Sequence, residues 1–302
     1  MIDKLEMFIA LAREAHFGRA AESLGITQPS LSAGIKQLEA QLGVQLVWRG
    51  SRFGGLTPEG QRVLQWARQI VADTRTMREE MRAVRHGLSG NLRLAVIPTA
   101  LTSAADLTAR FTRRHPGVRI TILSATSTAI LQMLENLEID AGISYLDNEP
   151  LGRVLSVELY AESYSFVCAA SSVFANRASV GWAEIVGEPL CLLTPDMQNR
   201  RIINAHFLAA GVDVLPSVES NSTVVLMSHV ETGDWATILP GRMAAFLASG
   251  KDVRIVPMEQ VGPPHAVGLV APWREPHTPV LAALMAEAKA MREAESPPAR
   301  KA

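Results

Sequence analysis

Between Pro58 and Gly87 no residue breaks a helix, and that stretch limits the folds open to this chain more than any other feature. About 29 residues at 1.5 Å each make a helix on the order of 43 Å long, far longer than a small domain can cover. Thr57 supplies an N-cap and Pro58 a first-turn residue whose missing N–H does no harm. Val63, Ala67, Ile70, Thr74, Met77, Met81 and Val84 follow spacings of four and three in alternation, a heptad seam with a weak point at Thr74. Arg68, Asp73, Arg75, Arg78, Glu79, Glu80 and Arg82 occupy the other faces. One narrow apolar seam on so long a helix predicts a partner helix, with Val63, Ala67, Ile70, Met77, Met81 and Val84 at a dimer contact. A helix lying on its own domain would need a broader stripe.

The residues before that helix spell a compact helical unit. Leu5, Phe8, Ile9 and Ala12 recur at helical spacing. A second short helix runs from about Gly18 to Leu24, with Ala20, Ala21 and Leu24 inward and Gly25 as its stop. Thr27 can cap a third helix that carries Pro29 in its first turn, buries Leu31, Ile35, Leu38 and Leu42, and ends at Gly43. Two short helices joined by a tight turn, the second with a small polar outer face, predict a helix-turn-helix. Val44 to Arg49, a Gly- and Arg-containing tip and Leu56 then read as a β-hairpin wing.

Gly87 and Gly90 mark a hinge-like break. Beyond it, strand-like runs at 92–97, 118–123, 141–145, 165–169, 190–193 and 237–239 alternate with helix-like runs, among them 103–114, 128–137, 200–210 and 224–232. Such alternation predicts mainly parallel sheets covered on both faces. More than 200 residues favour two subdomains with a cleft between them over one sheet. The expected division is 1–58 for the winged domain, 59–89 for the linker helix and 90–302 for an α/β domain. Within the last, subdomain I takes about 90–163 plus 267–302 and subdomain II about 164–266.

Composition mainly excludes. With 302 residues, 48% hydrophobic and 20% charged, the chain can bury sizeable cores, and disorder is not expected. No apolar run reaches the roughly 18 residues of a membrane helix. The N-terminal stretch mixes acids and bases, which does not suit a secretory signal. Two cysteines, Cys168 and Cys191, lie in apolar runs, as expected of inert thiols in a reducing cytosol. The seven histidines are scattered without a ligand-like pairing, so neither a metal site nor a cofactor is expected. No phosphate loop, dinucleotide fingerprint or nucleophile elbow occurs, so catalysis is not expected. Net charge is −1, but Lys36, Arg49 and Arg52 lie between residues 26 and 58, where Glu39 is the only acid. One local surface can therefore still be positive.

At these residues the chain resembles the LysR-type transcriptional regulators, over its whole length and most densely in the first 60 positions. The pattern is Phe17-Gly18-Arg19-Ala20-Ala21-Glu22-Ser23-Leu24, then Thr27-Gln28-Pro29-Ser30-Leu31-Ser32, Ile35-Lys36-Gln37-Leu38-Glu39, Leu42-Gly43 and Leu56-Thr57-Pro58-Glu59-Gly60. The resemblance implies a cytoplasmic homodimer or dimer of dimers, an effector domain of the type-2 periplasmic-binding-protein fold, and transcription controlled by a small molecule. Partners are then double-stranded DNA, a small-molecule effector and RNA polymerase, with no membrane. RGSRFGGLTPEG and LENLEIDAGISYLDNEPLGR further resemble regulators encoded beside formate dehydrogenase operons. Where many members carry Arg-Gln after Ser32, this chain has Ala33-Gly34, which shifts the expected base readout toward Gln28 and the wing. Cys168 and Cys191 as a redox pair, as in peroxide-sensing relatives, is the alternative to their inert reading.

The candidate site residues follow. Gln28, Pro29, Ser30, Ser32 and Lys36 present the outer face of the third helix to DNA, since Gln can bind adenine and Ser or Lys can serve bases and phosphates. Arg49 and Arg52 on the wing can reach phosphate or the minor groove. Thr99, Thr102, Thr126 and Ser127 sit at two strand-to-helix turns, where free N–H groups suit a small anion, although hydroxyls there also cap helices. Arg200 and Arg201 could clamp a carboxylate. A transport solute-binding protein and an enzyme on the same scaffold remain the rival readings.

Overall fold

The computed structural model describes residues 1–48 and 53–295. The chain divides into two compact units, one centred on Met1–Leu88 and one holding most of the residues from Ser89 onward. Among the described residues no helix is long and apolar enough to cross a membrane.

The first unit is built by local caps. Helices α1 (Ile2–Glu14), α2 (Phe17–Ser23) and α3 (Gln28–Leu42) enclose Leu5, Phe8, Leu11, Ala20, Leu31, Ile35 and Leu38. His16 caps α2 by accepting from the N–H groups of Gly18 and Arg19, and Thr27 caps α3 by accepting from Ser30 N at 3.3 Å. Gly43 takes φ 70°, the left-handed conformation that ends α3. Leu42 departs from expectation: burial along α3 stops at Glu39, and Leu42 is exposed.

Only one bridge pair, Val47 with Leu56, forms the base of the wing among the described residues, flanked by Trp48 N–H to Gly55 O and Thr57 N–H to Leu46 O. Glu39 secures the wing, because its buried Oε1 accepts from Leu46 N at 2.8 Å. Helix α4 (Pro58–His86) starts on the Thr57 cap, where Oγ1 accepts from Gly60 N at 2.9 Å.

The heptad reading of α4 needs a correction. Ala67 is fully buried and Val63 half-buried, both packed into the core of this unit together with Leu64 and Val71. The stripe therefore has two parts. Its first turns sit on the unit's own helices, while Ile70, Met77, Met81 and Val84 are exposed, as is Trp66. Apolar spacing alone cannot distinguish a partner helix from a neighbouring one in the same domain.

Among its described residues the second unit contains three sheets. The largest has the order β2-β1-β3-β10-β4, from β1 (Gly90–Val96), β2 (Val118–Ser124), β3 (Ala141–Tyr145), β4 (Val154–Glu162) and β10 (His265–Pro272). A three-stranded sheet has the order β8-β5-β9, from β5 (Tyr164–Ala169), β8 (Thr237–Pro240) and β9 (Val253–Pro257). The pair β6 (Cys191–Leu193) and β7 (Val218–Ser220) runs parallel and joins β8 through a bridge from Leu190 to Ala236.

Helices α5 (Leu101–Arg114), α6 (Ser127–Glu135), α7 (Gln198–Ala209), α8 (Thr223–Glu231), α9 (Gly241–Ala248) and α10 (Pro279–Glu295) complete the unit. The expectation of mainly parallel sheets fails. Strand β1 pairs in parallel with β2 and β3, but β10 is antiparallel to β3 and β4, and β5 is antiparallel to β8 and β9. The reason is the route of the chain. It leaves the first sheet through β4 into β5, separated only by Ser163, and returns through β9 into β10, so both passages add antiparallel strands.

Candidate functional site

Two surfaces carry the candidate residues. On α3, Gln28, Pro29, Ser30 and Lys36 are exposed and Ser32 half-buried, all apart from the core stripe. The Ser30 hydroxyl lies 2.8 Å from Thr27 Oγ1, which ties it to the cap. Arg49 and Arg52 lie outside the described residues. Glu39, the one acid between 26 and 58, is turned inward onto the wing backbone, so it does not offset Lys36 at the surface. Gly34 is buried, and a Cβ there would come 2.4 Å from Met7 Sδ. Of the Ala33-Gly34 pair only Ala33 is therefore exposed on the outer face of α3, since Gly34 faces α1.

The second surface is a narrow cleft between the first sheet and the β6–α7 layer. It is lined by Ile97, Pro98, Thr99, Ser127 and Tyr145 on one side and Leu193, Met197, Gln198 and Asn199 on the other. Thr99 and Ser127 are buried, and neither hydroxyl has a hydrogen-bond partner within the protein. Buried hydroxyls without partners cost free energy unless something else meets them.

Helices α6 and α7 both begin at this cleft, at Ser127 and Gln198, so their unsatisfied N–H groups and positive dipole ends lie there. Thr102 and Thr126 do not line it. Thr102 follows on α5, past the 3-10 turn that carries Thr99. Thr126 caps α6 by accepting from Ala129 N at 3.1 Å.

The two arginines do other work. Arg200 is buried and donates to Leu193 O at 2.7 Å and Glu219 Oε1 at 2.6 Å. Arg201 holds Glu149 through two bonds of 2.6 and 2.9 Å. Their charges are met by the protein, which opposes a carboxylate clamp. Gln198, Asn199 and Tyr145 were not among the residues expected from sequence. The signal for Gln198 and Asn199 was present as a polar pair opening a helix directly after a strand, a common ligand position in α/β sheets.

Behind the cleft a polar chain runs inward. Asn199 Nδ2 donates to Tyr145 OH at 3.0 Å, and Tyr145 OH donates to Glu162 Oε2 at 2.7 Å. Tyr160 OH also donates to Glu162, at 3.2 Å. Burial pushes the Glu162 carboxyl up to about 7, against the pull of its two tyrosine donors. Both cysteines are buried, and burial raises both thiols, Cys191 to about 11. Neither offers the exposed thiolate that a peroxide response requires. Among the described residues no group of three His, Cys, Asp or Glu could hold a metal ion.

Residues 2–61 match the bacterial regulatory helix-turn-helix protein of the lysR family, and residues 85–292 match the LysR substrate binding domain. The chain belongs to the LysR family. It is a DNA-binding transcriptional regulator with an effector-binding domain. It is similar to the HTH-type transcriptional regulator XapR of Escherichia coli (strain K12), 34% identical over 161 residues that cover 53% of this chain and 55% of XapR. It is also similar to the HTH-type transcriptional regulator IlvR of Caulobacter vibrioides, 32% identical over 256 residues that cover 84% of this chain and 74% of IlvR. Its fold is that of a full-length OxyR variant from Pseudomonas aeruginosa, with a TM-score of 0.73, 24% identity, and 96% of this chain and 94% of the other covered.

Proposed function

We propose that this LysR-family regulator answers to a small anionic metabolite held in the cleft by Thr99 and Ser127. The observation that carries this is the pair of buried, partnerless hydroxyls beside two helix N-termini. With no unpaired cation in the lining, the charge of the ligand would be met by hydroxyls and backbone N–H groups. Ligand binding favours one packing of the two subdomains, and that preference changes the spacing of recognition helices on DNA. Gln28, Pro29, Ser30, Ser32 and Lys36, with Arg49 and Arg52 of the wing, supply the DNA contacts. The protein works in the cytoplasm as a dimer or dimer of dimers through the exposed part of the α4 stripe, with RNA polymerase as a further partner. The division 1–58, 59–89 and 90–302 goes with these roles. The gene for this regulator lies beside a formate dehydrogenase operon, a reading supported by the segments RGSRFGGLTPEG and LENLEIDAGISYLDNEPLGR.

Calorimetric screening of small carboxylates, from formate upward, tests the cleft. Thr99→Val keeps volume while deleting a hydroxyl, and loss of one hydrogen bond to a charged ligand costs about 1.5–3 kcal/mol, or roughly ten- to a hundredfold in affinity. Unchanged affinity in both Thr99→Val and Ser127→Ala would place the ligand elsewhere.

Readout by Gln28 has its own test. Gln28→Ala should narrow the preference for operator over random DNA by about 1–3 kcal/mol for each base that Gln28 reads, whereas Lys36→Ala should weaken both and make the salt dependence shallower. An operator-to-random ratio untouched by Gln28→Ala in gel-shift titrations removes Gln28 from recognition.

A further inference from the structure

The cleft wall is connected to the place where the chain crosses between sheets. Glu162 is the last residue of β4, separated from β5 by Ser163 alone, and its Cα pairs across the ladder with His265, the first residue of β10. The outgoing and returning passages therefore meet at this pair. Glu162 is 3% exposed and Tyr145 fully buried, so bulk water does not screen the carboxyl.

A tyrosine hydroxyl has one proton and two lone pairs. While Glu162 is ionised, the Tyr145 proton is committed to it and a lone pair accepts from Asn199. Tyr145 then has no donor to turn toward the cleft that it lines. A proton taken from solvent by Glu162 reverses this. The neutral carboxyl can donate to Tyr145 or Tyr160, and the Tyr145 O–H can rotate toward a cleft anion. The same proton removes a negative charge from behind the anion.

We propose that anion binding in the cleft is coupled, through Tyr145, to proton uptake by Glu162 at the crossover between the two sheets. This rests on the reading of the cleft as the effector site. The groups facing Glu162 are Tyr145 of β3, Tyr160 of β4, Tyr164 of β5, Asp147 after β3, Arg242 of α9 and His265 of β10. His206 of α7 is in ring contact with both Tyr164 and His265. Arg242 stacks over Tyr160 at 4.7 Å and draws Glu162 toward ionisation, while Asp147 opposes it and pairs with His265 at 3.2 Å. Burial has already brought the carboxyl near neutrality, so a modest extra negative potential suffices to protonate it. The sign follows. Above neutrality the empty cleft has an ionised Glu162, anion binding takes up a proton, and affinity falls as pH rises.

The test is calorimetric titration of the full chain with sodium acetate, an anion throughout, at pH 6 and pH 8. The wild type should bind about tenfold more tightly at pH 6, within the limit of roughly tenfold per pH unit for one linked proton. Glu162→Gln, permanently neutral, should keep the pH 6 affinity at both values. Tyr145→Phe should make the dependence shallower, leaving only the part due to the Glu162 charge, while the infrared band of the protonated Glu162 carboxyl remains. A slope that survives in Glu162→Gln but vanishes in His265→Gln overturns the proposal in favour of an imidazole. Weak binding by Thr99→Val, together with an unchanged slope in Glu162→Gln, leaves the cleft standing and removes the coupling. Wild-type affinity in Thr99→Val removes the cleft reading itself. Failure of acetate to bind the wild type at either pH overturns the coupling and leaves the cleft to the wider carboxylate screen.

Discussion

Met77→Lys combined with Met81→Lys leaves the chain monomeric at concentrations where the wild type sediments as a dimer. Both side chains are more than half exposed, at 57% and 55%, and neither contributes to the core of its own unit. Within the single chain the two lysines therefore meet water, and Lys is a good helix former, so α4 itself is spared. Across a helix–helix seam the same ammonium groups would be buried without partners. Leaving one buried charge unpaired costs roughly 3–5 kcal/mol, and in a symmetric dimer each substitution occurs twice. That exceeds the margin by which most dimers are held at micromolar concentration. Sedimentation velocity decides the matter, with Arg82→Lys as a control on the charged face. A double variant that still sediments as a dimer would move the interface off this face.

The second large effect is expected at Gly60. A Cβ there would lie 2.0 Å from the carbonyl oxygen of Leu46 and 2.9 Å from its carbon, both backbone atoms. A flexible side chain could turn away, but this carbonyl also accepts from Thr57 N at 3.0 Å and closes the wing. Gly60→Ala must therefore shift the first turn of α4 or break the base of the hairpin. Ala gains up to about 1 kcal/mol in helix propensity over Gly, while forced overpacking costs about 1–3 kcal/mol and sometimes more. The steric cost wins, so a net loss of about 2 kcal/mol and weaker DNA binding are expected. Thermal unfolding of the full chain measures it, with Gln61→Ala reporting propensity without the clash. Equal melting of Gly60→Ala and the wild type would show that the clash relaxes without cost.

Much of this molecule was legible locally. Thr27, Thr57, Gly43 and Pro58 act on backbone groups within four residues of themselves, so the ends of α3 and α4 could be read directly from the chain. The runs at 141–145 and 118–123 showed as apolar stretches between turn signals, and Thr99 and Ser127 as hydroxyls where strands end. The helix-turn-helix was legible because many spaced residues agree at once.

Tertiary structure decided what depends on partners distant in sequence. Ala67 and Met77 carry the same periodic signal, but only the placement of α1 against the start of α4 buries the first and leaves the second exposed. Gly34 looked like part of a DNA face until α1 put Met7 against it. Arg200 and Arg201 looked available for a ligand, but residues 219 and 149 neutralise them. Tyr145, Glu162 and Asn199 come from three elements, and nothing near any of them in sequence indicates that they form one hydrogen-bonded chain. Caps and periodicity act over one or two turns of chain, so sequence alone determined the elements and the family. Burial and charge pairing depend on whichever segment arrives from elsewhere, so only the folded chain determined which of those residues line the cleft and which are already satisfied.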